Sequence, residues 1–132
     1  MGIFGIGTDI AVTTRVFGVW ARRGERFLQK AYHTNEIVAF HALQHEDEQA
    51  RFLASRWAAK EALTKAIGRR VLFPEMEVTR STDAAHAAGK APVFRFHGEL
   101  RQLVEEELHV KSHLSISHDG ELALAFVVLE AQ

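Results

Sequence analysis

Residues 52–68 read FLASRWAAKEALTKAIG and predict a single helix whose apolar stripe becomes charged halfway along. With about 3.6 residues per turn, the face that carries Trp57 continues through Glu61 and Lys65. A second ammonium group, on Lys60, lies beside that carboxylate. A helix that serves only the core keeps its buried stripe apolar, because burying ionised groups without partners is costly. The change in character therefore predicts a functional site on the second half of this helix.

Length and composition indicate one compact domain, residues 1–132, with 47% hydrophobic and 25% charged residues. Cysteine is absent, which excludes disulfides, thiolate metal ligands and thiol catalysis. No segment approaches the about 20 apolar residues that cross a membrane, and the first residues lack the pattern of a leader peptide. We expect a cytoplasmic protein without a membrane partner; a bacterial cytoplasm and an organelle both fit.

The charges are unevenly distributed along the chain. The formal net charge of -1 argues against nucleic acid as a partner. Residues 13–30, however, carry five basic side chains against one acidic one, which predicts a basic face for an acidic partner. Solvated faces that balance over the whole molecule explain the charges about equally well.

Apolar periodicity and turn residues predict an α+β fold, a mostly antiparallel sheet packed against a long helix. The return strand of the last hairpin, at 122–129, is apolar enough to be central. The predicted elements are a strand at 2–7 running into Thr8 and Asp9, one or two helices at 13–29 with a break at Gly24, a helix start at Thr34, a long helix capped by Asp47 and ended by Gly68, strands at 76–80 and 92–96 around an exposed loop at 81–91, a helix at 99–108, and a hairpin with strands at 113–117 and 122–129 around Asp119-Gly120.

Several chemically active side chains are distant in sequence, and each has a structural explanation. Asp9 follows a glycine-rich strand and would serve equally well as the cap of the next helix. Glu61 and Lys65 have the spacing of exposed ion pairs, which stabilise a helix by about 0.2–0.5 kcal/mol. His118 would serve simply as a turn residue. These four residues and Arg56 indicate a function only when they are considered in combination.

The combination resembles the holo-acyl-carrier-protein synthases, the small single-domain class of 4′-phosphopantetheinyl transferases. The resemblance extends over nearly the whole chain. Its three motifs, in order, are GIGTDI at 5–10 followed by Arg15, FLASRWAAKEA at 52–62 continued by Lys65 and Gly68, and HLSISHD at 113–119.

The chain departs from the family pattern at two places. Where the family commonly has Gly-Lys-Pro, residues 89–92 read GKAP, one residue longer. The glycine-rich loop that often follows the long helix is shortened, and Arg69 and Arg70 directly follow Gly68. These arginines would replace backbone contacts to the substrate with guanidinium contacts. Neither change alters the two carboxylates.

The resemblance implies Mg²⁺-dependent transfer of 4′-phosphopantetheine from coenzyme A to a serine of apo-acyl-carrier protein, with release of adenosine 3′,5′-bisphosphate. Asp9 and Glu61 would hold Mg²⁺, or Mn²⁺, by oxygen ligands. Glu61 would also accept the serine proton, and Lys65 would contact the phosphates. The coenzyme A contacts implied in this way are Arg56, Thr64, Lys65, Gly68, Pro92 and His118.

The resemblance also implies the partners. Arg15, Val19, Arg22 and Arg26 share one helix face and would bind the acidic carrier, although Val19 in the core and solvated arginines would give the same pattern. A homotrimer would share each coenzyme A cleft between neighbouring subunits. Carriers of fatty-acid biosynthesis and of other pathways both fit.

Three other functions are compatible with parts of the sequence. A catalytically inactive module that docks acidic carriers would not need both Asp9 and Glu61. A nucleic-acid binder would show aromatic residues interleaved with the basic ones. A coenzyme A enzyme acting at the thioester end would work without a metal, so chelation would distinguish it.

Overall fold

A computed structural model describes residues 2–82 and 90–132, which form an α+β arrangement of helices on antiparallel sheets. This confirms the predicted fold class. In chain order the elements are β1 (Ile3–Val12), α1 (Thr13–Arg23), α2 (Glu25–Ala31), α3 (Thr34–Ala42), α4 (Glu46–Ile67), a 3-10 turn (Phe73–Glu75), β2 (Met76–Arg80), β3 (Pro92–Phe96), α5 (Gly98–Arg101), a π-helical turn (Gln102–Glu107), β4 (Val110–Asp119) and β5 (Leu122–Ala131).

The main sheet has the strand order β1-β5-β4, and β5 is central as predicted. Its register places Asp9 of β1 opposite Ala125 of β5, which in turn lies opposite Ile116 of β4. Successive side chains of a strand point to opposite faces. Ala123, Ala125, Val127 and Leu129 are therefore buried under α4, while the residues between them face outward.

Strand β1 and helix α4 approach each other at backbone distance. A Cβ atom built on Gly5 would overlap the carbonyl oxygen of Ala66, and one built on Gly7 would overlap that of Ala62. Only glycine on the strand, facing alanine on the helix, permits this approach. The contact fixes which turn of α4 lies over each residue of β1.

Gly24 separates α1 from α2, as predicted, with a backbone φ of 64°. Helix α3 begins at Thr34, but the capping group belongs to His33, whose Nδ1 accepts a hydrogen bond from the Asn35 amide. Glu36 completes a capping box by accepting from the His33 amide.

Two local predictions are wrong, and the alternative role of Asp9 as a helix cap is excluded. Asp9 lies inside β1, which runs on to Val12, and so caps no helix. Helix α4 starts one residue before Asp47, and the residue at its N-cap is His45. In the last hairpin the strands continue to Asp119, so the two-residue turn is Gly120-Glu121. Gly120 occupies its first position with a positive φ of 57°, a conformation that glycine supplies without strain.

Other predicted elements agree closely with the structure. Strands β2 and β3 have the predicted bounds and pair antiparallel as a separate ribbon. Gly68 ends α4 in the left-handed conformation. The helix predicted at 99–108 is present but widens into the π-helical turn. Of the loop predicted at 81–91, residues 83–89 lie outside the described residues. No helix in the described part of the chain is long and apolar enough to cross a membrane.

Lys60 is the main difference from the predicted pattern of α4. Its ammonium group is fully buried, and it donates to the Glu36 carboxylate and to the carbonyl oxygens of Ala31 and Phe73. Burial lowers the pKa of Lys60 to about 8, although Glu36 opposes this shift. Lys60 therefore ties α4 to three other segments rather than lying beside Glu61.

Replacing Gly7 by alanine tests the contact between β1 and α4. The methyl group would force the two backbones apart, so we expect the G7A variant to lose about 1–3 kcal/mol of unfolding free energy or more. The control is G18A on α1, where the new methyl meets only Arg22 Nη1 at 3.5 Å. That variant should gain about 0.5–1 kcal/mol. Equal stability of G7A and the parent in urea denaturation would contradict the close approach.

Replacing Lys60 by methionine tests the buried ion pair. K60M leaves the Glu36 carboxylate charged and without its cation in the core, and should cost about 3–5 kcal/mol in the free energy of unfolding. K65M on the same helix is the matched control. The pair of Lys65 with Asp9 is partly exposed, so its loss should cost at most about 1 kcal/mol. Similar losses in both variants would show that Lys60 does not anchor the helix.

Candidate active site

Asp9 and Lys65 meet where β1 crosses the last turns of α4. Lys65 Nζ donates to Asp9 Oδ1 at 3.2 Å and to the carbonyl oxygen of Thr8 at 2.8 Å. The ammonium thus joins the strand instead of forming the exposed helix pair with Glu61. Asp9 reaches this position because odd-numbered residues of β1 face the helix, as Gly5 and Gly7 do.

Glu61 completes this group of charges. Partial burial raises the pKa of Glu61, the negative charge of Asp9 raises it further, and the ammonium of Lys65 opposes both. No hydrogen bond to its carboxylate is present among the residues described. Two carboxylates with one cation between β1 and α4 leave negative charge that a hard divalent cation would neutralise. Oxygen donors of this kind fit Mg²⁺ or Mn²⁺.

A cavity of about 670 Å³ opens beside Glu61. Thr64, Lys65 and Gly68 line it with Glu61, as do Arg69 and Arg70. The Thr64 hydroxyl donates to the Lys60 carbonyl at 2.9 Å, which leaves its oxygen free to accept. The shortened loop after Gly68 therefore places guanidinium groups at this cavity, as the sequence suggested.

A second group of predicted residues lies elsewhere on the same subunit. Burial lowers the pKa of His118, and the positive charges of Arg51 and Arg56 lower it further. Burial lowers the pKa of Arg56 itself, and Arg80 lowers it further. Pro92 pairs with Arg80 in the β2–β3 ribbon. The Nε atom of Arg56 is buried without a hydrogen-bond partner in the described residues.

Arg56 and Glu61 line different clefts within one subunit. Arg56 lines a cleft of about 250 Å³ with Glu36, Phe52 and Arg80. This cleft has no lining residue in common with the cavity at Glu61. Arg56 lies one helical turn before Lys60 and shares the face of α4 that points to Glu36.

The basic segment forms a groove between α1, α2 and α4. Arg15 and Val19 line this groove of about 450 Å³, and Phe27 and Trp57 supply apolar surface. Arg22 and Arg26 are exposed but lie outside the lining. Lys30 and Phe73 line both this groove and the cavity at Glu61, so the two are continuous.

The outer face of the main sheet carries exposed apolar side chains on β1 and β5, whereas the outward residues of β4 are polar. Phe126 of β5 is 45% exposed and Ile6 of β1 is 57% exposed. Along each strand, the side chains of this face alternate with the side chains that are buried under α4. The exposed apolar side chains of this face are Ile6, Ile10, Leu122, Leu124 and Phe126.

Sequence reasoning missed four cations of these surfaces as site residues: Arg23, Lys30, Arg51 and Arg80. Arg51 lies next to the quoted helical motif, and its spacing of five residues from Arg56 carried no signal. Arg80 and Lys30 reach their places through tertiary contacts only. Charge counting included Lys30 in the basic segment but could not place it between the groove and the cavity.

Comparison with known proteins identifies relatives over almost the full length. Residues 5–127 match the family described as the 4′-phosphopantetheinyl transferase superfamily. The holo-[acyl-carrier-protein] synthase of Dechloromonas aromatica is 39% identical, over 97% of this chain and 98% of the relative. The crystal structure of the Neisseria meningitidis holo-[acyl-carrier-protein] synthase aligns with a TM-score of 0.82 at 30% identity, over 97% and 98% of the two chains. The Bacillus anthracis synthase, solved in complex with CoA (3′,5′-ADP), aligns with a TM-score of 0.77 at 31% identity, over 100% of both.

Proposed function

We propose a function that follows from the family, since this chain belongs to the 4′-phosphopantetheinyl transferase superfamily. It transfers 4′-phosphopantetheine from coenzyme A to a serine of apo-acyl-carrier protein and releases adenosine 3′,5′-bisphosphate, as a holo-[acyl-carrier-protein] synthase. The observation that carries this function is full-length similarity to synthases, one of them solved with coenzyme A. The docking-module alternative has no such support.

Asp9 and Glu61 hold one Mg²⁺, or Mn²⁺, in this proposal. The support is the electrostatic coupling of the two carboxylates and the pKa of Glu61, which is raised by burial and by Asp9. When bound, the ion offsets the negative charge that develops on the diphosphate oxygens. Lys65 lies between β1 and α4 and contacts the same phosphates, adding a positive charge that favours the transition state.

Glu61 accepts the proton of the carrier serine, directly or through a water molecule. The serine oxygen then bonds to the phosphorus of the phosphopantetheine group, and the bond from that phosphorus to the bridging oxygen breaks. Adenosine 3′,5′-bisphosphate leaves with the electron pair of the broken bond. Glu61 is suited to accept this proton because its carboxylate lines the cavity and accepts no hydrogen bond from the described residues.

Arg56, His118 and Pro92 bind the nucleotide end of coenzyme A together with Arg51 and Arg80. The buried, unpaired Nε of Arg56 supports an anionic ligand there, because such a donor is costly to leave unmatched. Within one subunit Arg56 and Arg80 line a different cleft from that of Glu61. One coenzyme A therefore bridges two subunits, with the phosphopantetheine end at Glu61 of one and the nucleotide at Arg56 of the next.

The subunits associate as a homotrimer through the outer face of the main sheet. That face carries Ile6, Ile10, Leu122, Leu124 and Phe126. Contiguous apolar surface of this kind on a small domain is typical of an interface. The placement of Arg56 in a different cleft from Thr64, Lys65 and Gly68 also favours an assembly of more than one chain.

The acidic carrier docks on the groove formed by α1, α2 and α4. Arg15 and Val19 line that groove, while Arg22 and Arg26 lie exposed beside it. Continuity with the Glu61 cavity through Lys30 and Phe73 gives the carrier serine a path to the reaction. Charge complementarity of this type accelerates and orients association.

The reaction is tested by incubating the protein with coenzyme A, Mg²⁺ and an apo carrier, and measuring the mass of the carrier. We expect a gain of one phosphopantetheinyl group, lost on chelation and restored by Mg²⁺. E61Q should lower turnover by at least about 100-fold at unchanged stability, because both the metal ligand and the base are lost. E48Q, on the exposed first turn of the same helix, is the control. Near-normal turnover in E61Q would remove Glu61 from both roles.

The docking surface is tested by charge reversal. The R15E/R22E variant should raise the Michaelis constant for the carrier by about tenfold or more and change that for coenzyme A little, because the lost attraction is to the carrier alone. R95E/R101E, which reverses two exposed arginines elsewhere, should affect neither constant. Equal effects of R15E/R22E on both substrates would contradict docking at this groove.

The assembly is tested by light scattering. The parent chain of 14.8 kDa should scatter as a species of three chains. F126K places a charge on the apolar sheet face and should dissociate it, with loss of transfer activity. V38K replaces a residue that is 71% exposed on α3 and should remain assembled and active. A parent protein that scatters as a single chain would contradict the trimer.

A further inference from the structure

A cluster of metal-binding side chains borders the cleft of Arg56, which Glu77 and Asn35 also line. Among the described residues, His33, Glu77 and His97 each offer a ligand atom, and these atoms lie within 4.8 Å of one another. The cluster contains none of the residues assigned above to metal, coenzyme A or carrier. Its two imidazoles also differ chemically from the all-oxygen set of Asp9 and Glu61.

Three different elements position the cluster. His33 occupies the N-cap of α3, Glu77 lies in β2, and His97 directly follows β3. The His97 amide donates to the Glu75 carbonyl at 2.9 Å, which fixes the backbone of this residue against the segment before β2. The side chains of His33 and His97 are 18% and 34% exposed, so an ion can enter from solvent, while that of Glu77 is only 7% exposed.

One carboxylate oxygen faces both imidazoles. Glu77 Oε1 lies 3.0 Å from His97 Nε2 and 3.8 Å from His33 Nδ1. The two rings stack with centroids 4.1 Å apart and planes inclined by 20°. Stacked rings beside a common carboxylate oxygen present their nitrogen atoms toward the same small volume.

Asn35 holds the carboxylate of Glu77 in position by hydrogen bonds. Its Nδ2 donates to Glu77 Oε1 at 3.3 Å and to Oε2 at 3.2 Å. Hydrogen bonds of this kind to a ligand side chain are typical of metal sites, where they hold the ligand in position. The Asn35 amide also donates to His33 Nδ1 at 3.0 Å, and an ion bound at this nitrogen would take the place of that hydrogen bond.

We propose that His33, Glu77 and His97 bind one divalent transition-metal ion of the borderline class, such as Zn²⁺. Two imidazoles and one carboxylate with a fourth position left to water are a donor set that Zn²⁺ accepts in tetrahedral geometry. Mg²⁺, which prefers oxygen ligands in an octahedral arrangement, is not suited to this set. The ion ties the N-terminus of α3 to both strands of the β2–β3 ribbon. The same ribbon carries Arg80 and Pro92 in register.

The test is a calorimetric titration, in which Zn²⁺ is added to the metal-free, full-length protein in excess Mg²⁺. One equivalent of Zn²⁺ per chain should bind, and Co²⁺ in its place should develop the visible absorption of a tetrahedral centre. H97Q removes one ligand. H33N removes another but retains a residue that caps helices well, so the start of α3 is preserved. H113Q is the matched control, since His113 forms an exposed hydrogen bond with Glu130 at 2.9 Å on the main sheet.

Both ligand variants should weaken Zn²⁺ binding by at least about tenfold, and H113Q should bind as the parent does. Zn²⁺ should also raise the melting temperature of the parent and of H113Q but not that of H33N. Undiminished Zn²⁺ binding in H33N and H97Q would overturn the proposal. Loss of the bound Zn²⁺ in D9N would also overturn it, because the ion would then lie at the active site. Absence of saturable binding in the parent would show a hydrogen-bond network without a metal. If H97Q fails to fold, H33N alone decides.

Discussion

The backbone contact between β1 and α4 is the constraint on which the rest of the structure depends. Gly5 and Gly7 lie so close to the carbonyl oxygens of Ala66 and Ala62 that no side chain fits between them. The contact fixes the register of strand and helix, and with it the position of Asp9 relative to the last turns of α4. Asp9 and Glu61 are far apart in sequence, but they come close enough for the charge of Asp9 to raise the pKa of Glu61. The chemistry of the site is a consequence of close packing.

Lys60 and Glu61 are consecutive residues of α4, but their side chains point in different directions because successive positions on a helix are about 100° apart. Lys60 is buried with Glu36 and ties the helix to α2, α3 and the turn before β2. Glu61 faces the cavity. The buried ion pair of Lys60 holds this turn of the helix in place beside Glu61. The cleft around Arg56 lies on the same face of α4 as Lys60.

The sequence predicted local features well wherever a single residue type has one strong preference. Gly68 ends its helix, and the bounds of β2 and β3 agree with the alternation of apolar residues. The two-residue turn lies at Gly120-Glu121, one residue after the predicted Asp119-Gly120, because both pairs suit a turn of this length. The burial of Lys60 was not predictable, since its partners come from residues 31, 36 and 73. The same is true of Arg80, which depends on strand pairing.

Anomalous diffraction from crystals grown with Mn²⁺ and coenzyme A tests the central claim most directly, because Mn²⁺ accepts the same oxygen ligands as Mg²⁺ and is located without assumptions about the protein. We expect one Mn²⁺ peak at bonding distance from carboxylate oxygens of both Asp9 and Glu61, beside the diphosphate. A peak that contacts only one of these residues, or neither, in any subunit of the assembly would show that the two carboxylates do not share an ion.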